Sequence, residues 1–411
     1  MIEYRRKVLS NGLVVLAHRD RATSMAATNI IYKVGARDED PDHTGFAHLC
    51  EHLMFSGSRN APSFDMPVQM ASGENNAFTN NDYTDFYITV PKDNIDTALW
   101  LESDRMTDLD INASSLDVQK KVVIEEFNER YLNKPYGDLW LKLRPFLYSV
   151  HPYGWPTIGK SPDHIRNATL GMVRDFYDRY YHPSNAIIAV AGDYDYDEMF
   201  DMVESRFGHI TDRGSEKKVL PVEPAQTESR ELVIEGDVPA SLVYAVFHMC
   251  PRADDRFVVC DTLSDLLSGG TSSRLYRSLV KGEALFTSVN AYVTGDLDPG
   301  LFVAGGHVSD GVDPKKACDA LMRQLRAMCE ERVGEYELTK VQNKFEANTL
   351  FGEVNVMDKA MNLCFYEMLG DVSLVNREVS LYRSVTPEAI TETARELFAD
   401  NNVTLLYYLK K

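Results

Sequence analysis

The sequence predicts an α+β protein of two duplicated domains, each a mostly antiparallel sheet packed with helices. Three observations carry this expectation. At 411 residues the chain exceeds what one ordinary core can bury. Short strand-like runs are interleaved with longer stretches of helical period in both halves. Finally, segment 30–38 is echoed by segment 244–254, and after each comes a helical stretch closing on Ser-Gly, at Ser56-Gly57 and at Ser268-Gly269.

Taken in order, 8–17 reads as a strand, an Asn11-Gly12 turn and a second strand, since Asn-Gly suits a tight hairpin. A strand is expected over 26–34, and 83–90 alternates as another. The stretch 93–109 is amphipathic and helical. In 114–131, Leu116, Val123 and Phe127 recur at helical spacing, with serines at the start and Pro135 just past the end. Helices follow over 138–148 and 171–181, then a strand over 186–192. The polar segment 208–228, carrying Pro221 and Pro224, is read as a linker between domains 1–207 and 229–411. The second domain restarts the pattern with strands at 231–235 and 241–249 and a helix over 255–267. Beyond a Gly269-Gly270 loop and a further helix come strands at 289–293 and 301–306. Helices at 314–333, 337–370 and 387–397 precede a last strand at 403–409.

The densest chemistry lies in the run from Phe46 to Phe55. His48 and His52 are four apart, so a helix stacks them on one face, with Glu51 beside them. Two neutral imidazoles and a carboxylate at this spacing suit a zinc ion that holds a reactive water. The order His-x-x-Glu-His inverts the commoner His-Glu-x-x-His and is that of the inverzincin metallopeptidases. Phe46, Leu49, Leu53, Met54 and Phe55 can bury the other sides of the helix, which argues against a merely solvated polar face. Asp42 or Thr44 is expected to cap its start and Gly57 to end it. Cys50 points away from the histidine face and reads as packing. A third ligand is required. The helix over 114–131 offers Glu125, Glu126 and Glu129, which by themselves read as a charged outer face.

Composition narrows the remaining classes. A net charge of −19 argues against a nucleic-acid partner and gives no sign of binding an anionic membrane. No apolar run reaches membrane-spanning length. The N-terminal residues lack the apolar core of a secretory signal, so a cytoplasmic location is expected, or a periplasmic one if a leader has been trimmed. The six cysteines are scattered without a Cys-x-x-Cys pair, which suggests neither a disulfide framework nor a thiolate metal site.

Motif and duplication together resemble the pitrilysin family of zinc peptidases, which includes insulin-degrading enzyme and the mitochondrial processing peptidase. The resemblance covers nearly the whole chain. It extends to Gly-x-x-Asn-Ala-x-Thr at 73–79, Val-Val-Ile-Glu-Glu at 122–126, His151-Pro152-Tyr153-Gly154, the segments 181–186 and 191–193, and Ser273-Arg274-Leu275-Tyr276. It implies half of a pitrilysin-type clamshell, with one zinc per chain held by His48, His52 and Glu126. Glu129 and Glu125 are lesser candidates, because helix phase alone also allows Glu129. Gln119 stands where many relatives place an acidic residue and is expected to support the ligands by hydrogen bonding. The implied activity is that of a zinc endopeptidase acting on short unfolded peptides, with Glu51 as general base. Asn76 and Ala77 would lie on an edge strand to which the peptide adds; a tight turn before a strand is their plainer reading. A processing peptidase for targeting presequences is a special case, and a non-catalytic binding or structural subunit is the alternative from another class.

One departure stands out. Relatives carry an arginine and a tyrosine, seven apart, after the Ser-Arg-Leu-Tyr segment, and here Val280 and Thr287 occupy those places. Arg274 and Tyr276 have the wrong spacing to replace them. The resemblance therefore implies a heterodimer with a homologous chain that lacks the zinc motif and supplies the arginine and tyrosine. A homodimer, the other arrangement, would lack that pair.

Overall fold

The hairpin at the N-terminus sets the edge of the first sheet. In a computed structural model that describes residues 1–214 and 218–411, Arg5–Val8 (β1) and Val14–Arg19 (β2) pair antiparallel. Residues 215–217 of the expected linker lie outside the described residues. Gly12 turns the hairpin at φ +88°, where a side chain would be strained and its Cβ would come within 2.8 Å of Ser184 Cβ. Asn11 secures the turn by donating to the carbonyls of Phe207 and Ile210.

The other strands of this sheet are Met25–Tyr32 (β3), Glu74–Thr79 (β4), Thr84–Pro91 (β5) and Ala186–Gly192 (β6). They lie in the order β1-β2-β6-β3-β5-β4. β6 is buried along its whole length at the centre, as its unbroken apolar run predicts. β4 is an edge.

A second sheet is built from Arg230–Gly236 (β7), Leu242–His248 (β8), Phe286–Val293 (β9), Leu301–Val308 (β10) and Val403–Lys410 (β11), in the order β7-β11-β8-β10-β9. Without β1 the two sheets have the same topology. β2 with β6 and β7 with β11 are the parallel pairs, and every other pairing is antiparallel. The echoed segments contain β3 and β8, which occupy equivalent places. The duplication seen in the sequence is thus a duplication of sheets.

The helices depart from expectation in three respects. The stretch 337–370 is not one helix: Glu335–Gly352 ends, and Val356–Met368 restarts under a cap in which Asn355 Oδ1 accepts from Met357 N. Helices Asp65–Met70, Tyr196–Phe207 and Leu374–Ser384 were not foreseen. And the chain divides by compactness into Met1–Arg130, Val150–Pro221 and Leu350–Asn376 as one unit, with Tyr131–Ser149, Val222–Thr349 and Arg377–Lys411 as the other. These units interleave along the sequence, so the continuous bounds 1–207 and 229–411 do not coincide with them.

The reason lies in the first core. Val356, Met357, Ala360, Leu363 and Cys364 of the restarted helix pack on Leu16, Ala27, Ile31, Ile187 and Ala189 of the first sheet. That sheet has an apolar face on each side, and a helix from late in the chain covers one of them. No helix among the described residues is long and apolar enough to cross a membrane.

Candidate metal and catalytic centre

The helix Phe46–Leu53 carries the histidines, and its amphipathic pattern buries Phe46, Ala47, Leu49, Cys50 and Leu53. Its start is not capped as expected. Gly45 is the N-cap, at φ +89°, a left-handed conformation that glycine adopts freely. Thr44 is engaged elsewhere, with His164 and Lys160. The helix N-terminus is served by Glu39, whose fully buried carboxylate accepts from Gly45 N and Ala47 N at 2.9 Å each and from Trp155 Nε1 at 3.2 Å. These carboxyl oxygens satisfy orphan N–H groups at the helix start.

Burial pushes the Glu39 carboxyl up to about 8, against the three N–H groups that favour the anion. With a folded pKa above the unfolded one, the folded state holds this proton longer. Stability from this group is therefore present in acid and lost as pH rises from about 5 to 8. Denaturant unfolding across that range is expected to show this slope, and Glu39→Gln should flatten it. The amide also turns a donor against an N–H group, at a cost of about 1–3 kcal/mol. An unchanged slope in the variant would assign the pH dependence to other groups.

The glutamate helix, Ala113–Phe127, begins at Asn112, whose side chain accepts from Ser114 N and Ser115 N. Leu116, Val123 and Phe127 are buried as their spacing predicts. In the packed structure Glu125 and Glu129 are exposed and Glu126 is half-buried. Gln119 donates from Nε2 to Ser56 Oγ at 3.1 Å, tying this helix to the turn that follows the histidine helix.

His48, His52 and Glu126 converge, and they are the one such metal-competent cluster among the described residues. His48 Nε2 and His52 Nε2 are 3.3 Å apart, and Glu126 Oε2 lies 3.6 Å from the first and 3.4 Å from the second. A tetrahedral ion with zinc–nitrogen bonds near 2.0–2.1 Å requires ligand atoms about 3.3–3.4 Å apart, so the triangle fits zinc. Protonation states fit as well. Burial, then the neighbouring His52, holds His48 below its ordinary pKa, so it is neutral near pH 7. The hydrogen bond with His52, then His48 and Arg130, keeps Glu126 below the usual carboxylate range. For His48 and Glu126 these are the forms that bind a metal.

Glu51 stands beside this cluster, and Thr79 Oγ1 of β4 donates to its Oε2 at 2.6 Å. Burial raises the Glu51 pKa, and the Thr79 hydroxyl opposes that rise. On β4, Asn76 is exposed and Ala77 half-buried, and Asn76 Oδ1 accepts from Ala77 N at 2.9 Å. In the second unit, Arg274 is committed to Glu337 through two hydrogen bonds of 2.9 Å. Val280 packs against the second core, and Thr287 is exposed on β9.

Three residues of this centre escaped the sequence reading. Thr79 lies in a stretch that attracted notice for its neighbours. Glu39 sits in a polar loop with no local pattern to mark it. Arg130 is four residues after Glu126, a spacing that predicts an ion pair, and its Nη1 lies 2.9 Å from Glu126 Oε1.

The family profile described as insulinase (peptidase family M16) matches residues 14–138, and that of the peptidase M16 inactive domain matches residues 167–345. The chain belongs to peptidase family M16. A Helicobacter pylori protein named zinc protease PqqE is 29% identical over 97% of this chain and 91% of its own. A Bacillus subtilis protein described as an uncharacterized zinc protease, YmxG, is 22% identical over 97% and 96%. Among solved structures, a protease from Helicobacter pylori superposes with a TM-score of 0.94 at 26% identity over all of both chains. Pitrilysin superposes with a TM-score of 0.82 at 17% identity, and there the present chain spans 45% of the longer one. The fold is that of half a pitrilysin-type molecule.

Proposed function

We propose that this M16 chain is a zinc-dependent endopeptidase that hydrolyses short unfolded peptides added as a strand along β4. One observation carries the reading: the zinc-sized triangle of His48, His52 and Glu126 lies beside a half-buried Glu51 that is hydrogen-bonded to the edge strand itself. Bound there, zinc supplies Lewis acidity and a water acidified toward neutrality.

The residues of the chain do the rest. Glu51 accepts the proton of the attacking water at its carboxylate and returns it to the leaving peptide nitrogen. Its burial raises its proton affinity toward that task, and Thr79 fixes its orientation. β4 offers its outer edge for main-chain pairing, with Asn76 and Ala77 nearest the scissile bond. A peptide carbonyl would take the Ala77 N–H from Asn76 Oδ1.

The site is completed by a second, homologous chain that contributes an arginine and a tyrosine, since Val280 and Thr287 cannot bind a substrate carbonyl as those would. Cleavage of a quenched fluorescent peptide library by the zinc-loaded chain is the test, with and without such a partner. A rise in kcat/KM of at least about tenfold with the partner is expected, because removing a transition-state donor costs that much or more. Full activity from the chain alone would end the partner requirement. Zinc bound with no cleavage in either mixture would turn the chain into a binding subunit.

A further inference from the structure

We propose that Arg130 is a specificity-determining residue whose guanidinium binds a carboxylate of the peptide close to the scissile bond. The carboxylate belongs either to an acidic side chain or to the peptide's C-terminus. The inference rests on the peptidase reading above and adds the substrate class.

The argument begins with the two oxygens of Glu126. Oε2 faces both histidines, whereas Oε1 forms an ion pair with Arg130 Nη1 at 2.9 Å. Arg130 is presented by the π-helical turn Asn128–Leu132 directly after the glutamate helix, and its side chain remains 72% exposed. An exposed ion pair at i,i+4 adds little to stability. Position is what gives Arg130 consequence, because it brings a permanent cation to the rim of the metal-competent cluster.

A permanently charged guanidinium that meets one carboxylate oxygen keeps capacity for a second anion. Among the described residues Glu126 is the one ion-pair partner of this guanidinium, and neither Glu125 nor Glu129 takes its place. A guanidinium has five N–H donors in a fork matched to a carboxylate. Most of them face solvent here. An extended strand advances about 3.3 Å per residue. A carboxylate meeting Arg130 therefore belongs within about two residues of a peptide bond held at the cluster.

The test uses matched peptides that differ at one position near the cleaved bond, Glu against Gln, and at the end, free carboxylate against amide. Binding is read by fluorescence anisotropy on zinc-loaded Glu51→Gln protein, and kcat/KM is read on the unaltered protein. Zinc content is measured for every sample. One of the two carboxylate peptides is expected to bind about tenfold tighter than its neutral match, as a charge-assisted hydrogen bond provides, and the arm that responds identifies the source. Arg130→Gln should bring the ratio close to one, and Arg130→Lys, which keeps the charge without the fork, should leave part of it. A ratio near one in the unaltered protein overturns the proposal without recourse to any variant. So does a ratio that survives Arg130→Gln. If peptides are cleaved without carboxylate preference, only the role of Arg130 fails; if none is bound or cleaved, the peptidase reading fails with it.

Discussion

Glu51→Gln is expected to lower kcat by about 10²–10⁴-fold, the range supplied by a positioned general acid–base, while zinc remains bound at full stoichiometry. The amide keeps the size of the side chain and can still accept from Thr79 Oγ1. It cannot take a proton from water. Glu51 is not one of the three converging ligand atoms, so metal affinity should change little. The paired measurement is peptide hydrolysis and zinc content on the same sample. Activity retained within a few-fold would remove Glu51 from proton transfer, and zinc lost along with activity would recast it as a ligand.

Removal of a ligand should have the opposite signature. Glu126→Gln is expected to weaken zinc binding by more than about a hundredfold, beyond the 10–100-fold typical of residues that only support a ligand. Because zinc bound to the folded state stabilises it by mass action, metal at 100 times its dissociation constant adds about 2.7 kcal/mol. The unaltered protein should therefore melt higher with zinc than after chelation, and Glu126→Gln should lose most of that increment at the same zinc concentration. Glu129→Gln is the control, since that side chain is exposed outside the triangle. Equal losses from the two variants would deny Glu126 its place.

Much of this centre is legible in the amino-acid order, and the legible part is local. His48, Glu51 and His52 fall within five residues, so a single helix decides their geometry. The central strand 186–192, the Asn11-Gly12 hairpin and the period of Leu116, Val123 and Phe127 are local in the same sense. Duplication is visible too, because two sheets of equal topology need similar runs in similar order.

Tertiary structure decides what must come together from afar. Helix phase leaves Glu126 and Glu129 both open, and only the packing of the glutamate helix on the histidine helix turns Glu126 inward. Glu39 serves a helix that starts several residues later, through a buried carboxylate that no periodicity announces. Thr79 reaches Glu51 because β4 lies at the edge next to that helix. The helix Val356–Met368 belongs to the first unit because the first sheet has a second apolar face to cover, and a sequence pattern records that a face is apolar without recording which face it meets. Local periodicity follows from backbone geometry repeated every few residues, whereas convergence depends on which distant apolar surfaces leave water together.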